Sequence, residues 1–176
     1  MRTTKTLAAV WALSVLTIAL PARAADYPET PDGLKNLNED ILAALKAGEK
    51  EKAAALVKGL VLVDHAEWLK KTFGEELGTK IDAGYAKVAA SLEADGVKLY
   101  EAQLKQNRTN VTAYKLTDPD DKQATGAQRD ALTAMKVKVP LYGVRLIEPG
   151  KDAGMHLWNF VYVDNGWRMI GKLPTK

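Results

Sequence analysis

The spacing of apolar residues changes once along this chain, and the change sets the class of fold. Over residues 31–106, apolar side chains recur every three to four positions, as in amphipathic helices. The later stretches 111–116, 137–147 and 157–163 are rich in Val, Tyr and Leu and follow the two-residue period of strands. The sequence therefore predicts an α+β domain, with N-terminal helices packed on a C-terminal antiparallel sheet at about 108–173.

Residues 1–24 predict a secretory signal peptide. Arg2 and Lys5 supply the positive start, residues 7–20 form an apolar run, and small residues follow at the cleavage positions. A helix of that run rises about 21 Å, short of the roughly 30 Å hydrocarbon core, so cleavage is favoured over a membrane anchor. We therefore expect a single domain at 25–176, periplasmic or secreted, with no membrane insertion after cleavage.

Composition excludes several classes of protein. The formal net charge of +3 comes from the signal segment, because the rest of the chain holds 22 basic and 22 acidic side chains. A neutral domain lacks the basic surface that nucleic acid requires. The chain has no cysteine and only two histidines, which excludes disulfides, thiolate metal sites and His-rich metal centres. We expect no cofactor and no metal.

Two features predict where helices begin and end. Asp64 and Glu67 are spaced as a capping box, in which each side chain accepts a hydrogen bond from a free backbone N–H at the helix start. A long helix is predicted from Thr79 to about residue 105 by a single apolar stripe. Asp95-Gly96 lies inside that stripe, and the sequence leaves open whether the helix ends there.

The dipeptide Asn165-Gly166 predicts a β-hairpin with a two-residue type I′ turn, because both residue types tolerate positive φ. This turn sorts the strand residues into an aromatic face and a mixed face. Burying the aromatic residues returns about 2–3 kcal/mol each, so we expect the helices to cover that face. The aromatic face holds His156, Trp158, Phe160, Tyr162, Trp167 and Met169. The mixed face holds Val161, Val163, Arg168 and Ile170.

The end of the chain resembles a known superfamily. Residues 160–173 read Phe-Val-Tyr-Val-Asp-Asn-Gly-Trp-Arg-Met-Ile-Gly-Lys-Leu and resemble the closing hairpin of exported bacterial members of the NTF2-like (cystatin-like cone) superfamily. The helix-then-sheet order extends the resemblance loosely over about 140 residues. It implies a curved sheet forming a cone beneath the helices. It implies no single activity, because the superfamily includes isomerases, dehydratases, binding modules and dimerisation domains.

Three positions are candidates for chemistry. His156 lies at the start of the aromatic strand and could act as a general base near neutral pH. Asp64-His65 is the only adjacent acid–imidazole pair, although a helix cap explains Asp64 without any catalytic role. Arg145 is either a surface cation or a buried anchor for an anionic ligand, and the alternation of its strand does not decide between them.

The favoured function is an exported, non-enzymatic binding or assembly module. No hydrolase, zinc-protease or phosphate-loop motif is present. An aromatic-lined cone would take a small apolar molecule or a protein partner, although aromatic residues at such spacing are more often plain core. The candidate ligand-binding residues are Trp68, Tyr85, Tyr114, Tyr142, Arg145 and Trp158.

Two alternatives stay open. The first is a small-pocket isomerase or lyase that uses His156 with Arg145 or a tyrosine as its partner. The second is a homodimer formed through the mixed sheet face, with Val161, Val163 and Ile170 at the interface.

Overall fold

The computed structural model describes residues 27–173, which form an α+β domain. The predicted signal peptide lies outside these residues. No helix among residues 27–173 is long and apolar enough to cross a membrane. The helices are α1 (Pro31–Lys46), α2 (Lys50–Lys58), α3 (His65–Phe73), α4 (Glu75–Lys105) and α5 (Gly126–Ala134). The strands are β1 (Asn110–Leu116), β2 (Leu141–Ile147), β3 (Gly154–Val163) and β4 (Gly166–Met169).

The sheet is antiparallel with strand order β1-β2-β3-β4, and helices pack on both of its faces. The first face packs on α1, α2 and the C-terminal half of α4, and this interior is the first core. The second face packs in part on α3, α5 and the N-terminal half of α4, and this interior is the second core. The sequence predicted helices over one face only. Its mixed face is also covered, since Val161 and Ile170 are 1% and 0% exposed.

Strand β3 contains a bulge. Gly143 of β2 stands opposite two residues of β3, Trp158 and Asn159, where the register shifts. Asn159 has a φ of 54°, a left-handed conformation that asparagine tolerates better than most residues. Its buried side-chain amide donates a hydrogen bond to the carbonyl of Gly171 at 2.8 Å. One extra residue in a strand reverses the alternation of side chains beyond it.

The bulge divides the predicted aromatic face. Leu157 and Phe160 both lie in the first core, although they are three residues apart. His156 and Trp158, by alternation from Leu157, lie on the second face. The prediction that these two residues share a face with Phe160 is therefore wrong. The prediction that helices cover Phe160 and Trp167 is confirmed, since both are buried in the first core.

The hairpin between β3 and β4 turns one residue earlier than predicted. Val163 pairs with Gly166, so the loop residues are Asp164 and Asn165, with φ of 51° and 55°. Both residue types tolerate the left-handed region that a type I′ turn requires. Moving a two-residue loop by one position shifts each cross-strand pair by two residues. The hairpin residues next to the turn therefore lie on the faces predicted for them.

Helix α4 runs without a break through Asp95-Gly96. A Cβ at Gly96 would lie 2.5 Å from Val57 Cγ1, so glycine lets α2 approach α4 closely. Residues near its start, including Ile81 and Tyr85, lie in the second core, and Tyr100 lies in the first. The helix therefore belongs to both cores.

The capping box predicted at α3 is wrong. Asp64 has a φ of 54° and its side chain makes no capping hydrogen bond. A capping box forms instead at α5, where Thr125 Oγ1 accepts from Gln128 N at 3.3 Å and Gln128 Oε1 accepts from Thr125 N at 3.0 Å. The spacing of Asp64 and Glu67 fits a box, but the left-handed backbone at Asp64 differs from the extended conformation usual at an N-cap.

The position of the turn can be tested with two alanine substitutions. Asn165→Ala should lower the free energy of unfolding by about 1–2 kcal/mol, because alanine disfavours the left-handed conformation. Gly166→Ala, made in an Arg168→Ala background, should cost less than about 0.5 kcal/mol, since its φ is not positive and the guanidinium that a Cβ would meet at 2.5 Å is then absent. Urea denaturation measures both. A larger loss at Gly166 than at Asn165 would contradict this register.

The close approach of α2 to α4 gives a second prediction. Gly96→Ala should lower the free energy of unfolding by about 1–3 kcal/mol, the usual cost of forcing extra volume into a packed interior. The control Gly126→Ala, where a Cβ meets nothing within 4 Å, should change it by less than about 0.5 kcal/mol. In a Val57→Ala background the cost of Gly96→Ala should fall. The same cost in both backgrounds would show that this contact is not responsible.

Candidate binding site on the second sheet face

Three strands place a row of polar residues on the uncovered part of the second face. Arg145 of β2 pairs with Thr112 of β1 on one side and with His156 of β3 on the other. Thr112 is exposed, and the other two side chains are half-buried. The arginine therefore lies between two uncharged cross-strand neighbours when His156 is neutral.

The next row along β2 is aromatic. Gly143 pairs with Tyr114 of β1 and stands opposite the bulge residue Trp158 of β3. A Cβ at Gly143 would overlap the Tyr114 ring, so the ring lies across β2 at the position where no side chain projects. Glycine is required here by this close approach. We call Tyr114, Arg145, His156 and Trp158 the sheet-face site.

The tyrosine ring supports the arginine. The guanidinium carbon of Arg145 lies 5.7 Å from the centroid of the Tyr114 ring, within the range of a cation–π interaction. The Tyr114 hydroxyl accepts a long hydrogen bond of 3.5 Å from Gln128 Nε2 of α5. Helix α5 thus contacts the hydroxyl of the Tyr114 ring, and β2 packs against the ring at Gly143. These two contacts fix the ring on which the guanidinium lies.

Two N–H donors of the sheet-face site are buried without a partner. Arg145 Nε and Trp158 Nε1 are both shielded from solvent, and neither makes a hydrogen bond. Among residues 27–173, Arg145 forms no ion pair with an acidic side chain. Buried polar groups in folded proteins are nearly always hydrogen-bonded, and each unpaired one costs about 1–3 kcal/mol. Arg145 Nε and Trp158 Nε1 are therefore the unpaired donors of the sheet-face site, and Trp167 Nε1 and Asn159 Oδ1 are unpaired elsewhere in the interior.

His156 is neutral at pH 7. Burial lowers its pKa below the ordinary value of 6.5, and the positive charge of Arg145 lowers it further. A neutral imidazole offers one donor and one acceptor, and it adds no charge to the site. The arginine is therefore the only permanent charge among the four residues.

The other predicted ligand-binding residues do not join this site. Tyr142 is fully buried in the first core, where its hydroxyl donates to Glu29 at 3.3 Å, and burial and that carboxylate raise its pKa to about 12. Tyr85 is buried in the second core, where its hydroxyl accepts from Leu62 N at 2.8 Å. Trp68 lies half-buried on α3 beside the second core. The structure brings together four of the seven sequence-predicted site residues.

The aromatic residues expected to line a cone pack against one another. The rings of Tyr142 and Trp167 meet edge-to-face with centroids 4.7 Å apart, and those of Tyr162 and Trp167 do so at 5.2 Å. Such edge-to-face contacts are typical of packed aromatic cores. The interpretation of these residues as plain core, weighed from the sequence, fits this arrangement.

His65 is paired with Asp82, which is distant in sequence. Its Nδ1 makes a short hydrogen bond with Asp82 of α4, and its ring packs edge-on against Tyr85 at 5.0 Å. Sequence reasoning considered only the adjacent Asp64. The pair links α3 to α4, and only the packing of those two helices reveals it.

Sequence reasoning also missed Thr112, Gly143 and Gln128, which flank or support the site. Gly143 in the middle of a strand was the available signal, because glycine there often marks a bulge or a close approach.

The described residues contain no group of three or more His, Asp or Glu side chains placed to hold a metal ion. Comparisons with family models, with curated proteins and with solved structures find no match.

The position of Arg145 beside His156 predicts the titration of this imidazole. Its NMR midpoint should lie below 6.5, and Arg145→Gln should raise it toward that value by removing the neighbouring charge. Because the folded pKa is lower than the unfolded one, the unfolded chain binds the proton more tightly. Stability should therefore fall as the pH drops below about 6.5. A His65→Gln variant assigns the two imidazole signals.

The control for this titration is Lys115→Gln, which removes a cation that lies over Tyr142 on the first face. It should leave the His156 midpoint unchanged. A midpoint that does not move in Arg145→Gln would show that the two side chains are not electrostatically coupled.

Proposed function

We propose that this protein is an exported binding module that holds a small anionic ligand at the sheet-face site. Arg145 is the anchor, and Trp158 lies in the neighbouring row of the same sheet face. The observation that supports this proposal is the pair of buried donors, Arg145 Nε and Trp158 Nε1, that lack a hydrogen-bond partner. A ligand carrying hydrogen-bond acceptors and a negative charge would satisfy both donors and the guanidinium together.

The surroundings of Arg145 favour a ligand over a purely structural role. A structural arginine in a half-buried position normally pairs with a carboxylate or with backbone carbonyls. Arg168 shows the second pattern, since its Nη1 donates to the carbonyls of Gly59 and Trp167 at 2.8 and 2.9 Å. For Arg145, the interaction found is the cation–π contact with Tyr114, worth about 0.5–2 kcal/mol. Its hydrogen-bonding capacity is left for a partner.

The proposal modifies the expectation drawn from the sequence. The sequence predicted an apolar ligand beneath the helices, whereas we propose an anionic ligand on the second face. The reason is that the aromatic residues of the first face pack in the first core. The proposed location is the periplasm or the cell exterior, supported by the signal peptide predicted at 1–24. The resemblance of 160–173 to NTF2-like proteins supports a place in that superfamily.

A second candidate function uses the same residues for catalysis. His156 is neutral, so one ring nitrogen is free to take a proton from a substrate, while the neighbouring charge of Arg145 lowers its basicity. Arg145 would stabilise the negative charge that develops on the substrate. An isomerase or lyase of this kind would convert its ligand, whereas a binding module would release it unchanged.

Native mass spectrometry and NMR together test the proposal. Protein purified from its own compartment should retain a small acidic ligand that is lost in Arg145→Gln and kept in the control Lys115→Gln. In the ligand-free protein, titration with acetate, benzoate, phosphate or sulfate should shift the Trp158 indole N–H signal for at least one anion. If no anion moves that signal, the proposal is wrong.

The enzyme alternative is separated by the fate of the ligand. Incubating the protein with its retained ligand should leave the ligand's mass and chromatographic behaviour unchanged if the protein only binds it. Conversion that is abolished by His156→Gln, with binding preserved, would establish the catalytic function instead.

A further inference from the structure

We infer that the ligand class is a monocarboxylate with a flat apolar body, such as an aromatic acid. This inference rests on the proposed function, which requires only that some anion binds at Arg145. It goes further by using the charge, the donors and the aromatic surface of the site to choose among anions.

The charge of the site fits a monoanion. Arg145 supplies one permanent positive charge, and its cross-strand neighbours Thr112 and His156 add none at pH 7. The nearby β1 cation Lys115 lies over Tyr142 on the opposite face of the sheet. A phosphate or sulfate dianion would leave a negative charge unmatched in a half-buried site, which is costly.

The donors fit a carboxylate. The Nε and one terminal nitrogen of a guanidinium form a planar fork that matches the two oxygens of a carboxylate. At Arg145 the Nε edge is unpaired, and Trp158 Nε1 offers a further donor on the same face. Both atoms are shielded from solvent although the side chains that carry them are only half-buried, so a ligand reaches these donors by displacing the groups that cover them.

The aromatic surface fits a flat body. Trp158 is partly exposed, and the Tyr114 ring fills the space over Gly143 next to it, so the exposed part of the indole is the aromatic surface that a ligand can reach. A planar ring joined to the carboxylate could therefore lie against the indole while the carboxylate reaches the arginine. Aromatic stacking adds about 0.5–1.5 kcal/mol beyond the burial of apolar area, so a ring is favoured over an aliphatic chain of equal size.

Isothermal titration calorimetry on residues 25–176 tests the ligand class with five probes. Benzoate should bind at least tenfold more tightly than acetate, which lacks the ring, and than benzamide, which lacks the charge. It should also bind more tightly than phosphate and sulfate. Phosphate or sulfate binding more tightly than benzoate, with loss in Arg145→Gln, would overturn this inference and leave the proposed function standing. If none of the four anions binds, both are wrong.

Four variants separate the contributions. Arg145→Lys keeps the charge and loses the fork, so benzoate should bind about tenfold more weakly while acetate changes less. Trp158→Phe keeps a ring without the N–H, and Trp158→Leu removes the ring. The preference for benzoate over acetate should therefore survive in Trp158→Phe and be lost in Trp158→Leu. The control Trp68→Phe, on α3, should bind as the unmodified protein does. An equal benzoate preference in all four would contradict the assigned geometry.

Discussion

The additional residue in β3, at Trp158 and Asn159, determines which side chains the helices cover. On one side of it Phe160 enters the first core, and on the other His156 and Trp158 are left on the second face beside Arg145. The left-handed backbone that this requires is accepted by an asparagine whose amide is hydrogen-bonded within the fold. With regular alternation, the histidine and the indole would lie under the helices, and the arginine would lose its neighbours on β3.

Partial coverage of the second face is what makes the candidate site. Helices α3 and α5 bury one end of that face around Leu116 and Val161, where the second core forms. The other end keeps the half-buried row that includes Arg145. Tyr114 stands at the boundary, since α5 holds its hydroxyl while its ring supports the guanidinium. The same tyrosine therefore belongs to the second core and to the sheet-face site. Its packing in the second core fixes the position of its ring in the site.

The sequence predicts the elements well because periodicity is a local property, and the arrangement less well because register is not. The turn is misplaced by one residue because Asp164-Asn165 and Asn165-Gly166 are both suitable for positive φ. The bulge leaves no periodic signature, so Trp158 is assigned to the wrong face. Tyr142 illustrates the converse difficulty, since nothing in its spacing distinguishes a core tyrosine from one that lines a pocket. Whether a tyrosine lies in the core or lines a pocket is decided by the charges and the packing around it in three dimensions.

Helix α4 has a consequence for how the domain loses its structure. Its 31 residues extend about 46 Å, and their side chains enter both cores. If one core unfolds while the other stays folded, the half of α4 that packs in the unfolded core loses its contacts and frays. Heating should therefore disrupt both sides of the sheet in one cooperative transition, as for a single folding unit. Thermal denaturation followed from either side would then report the same midpoint.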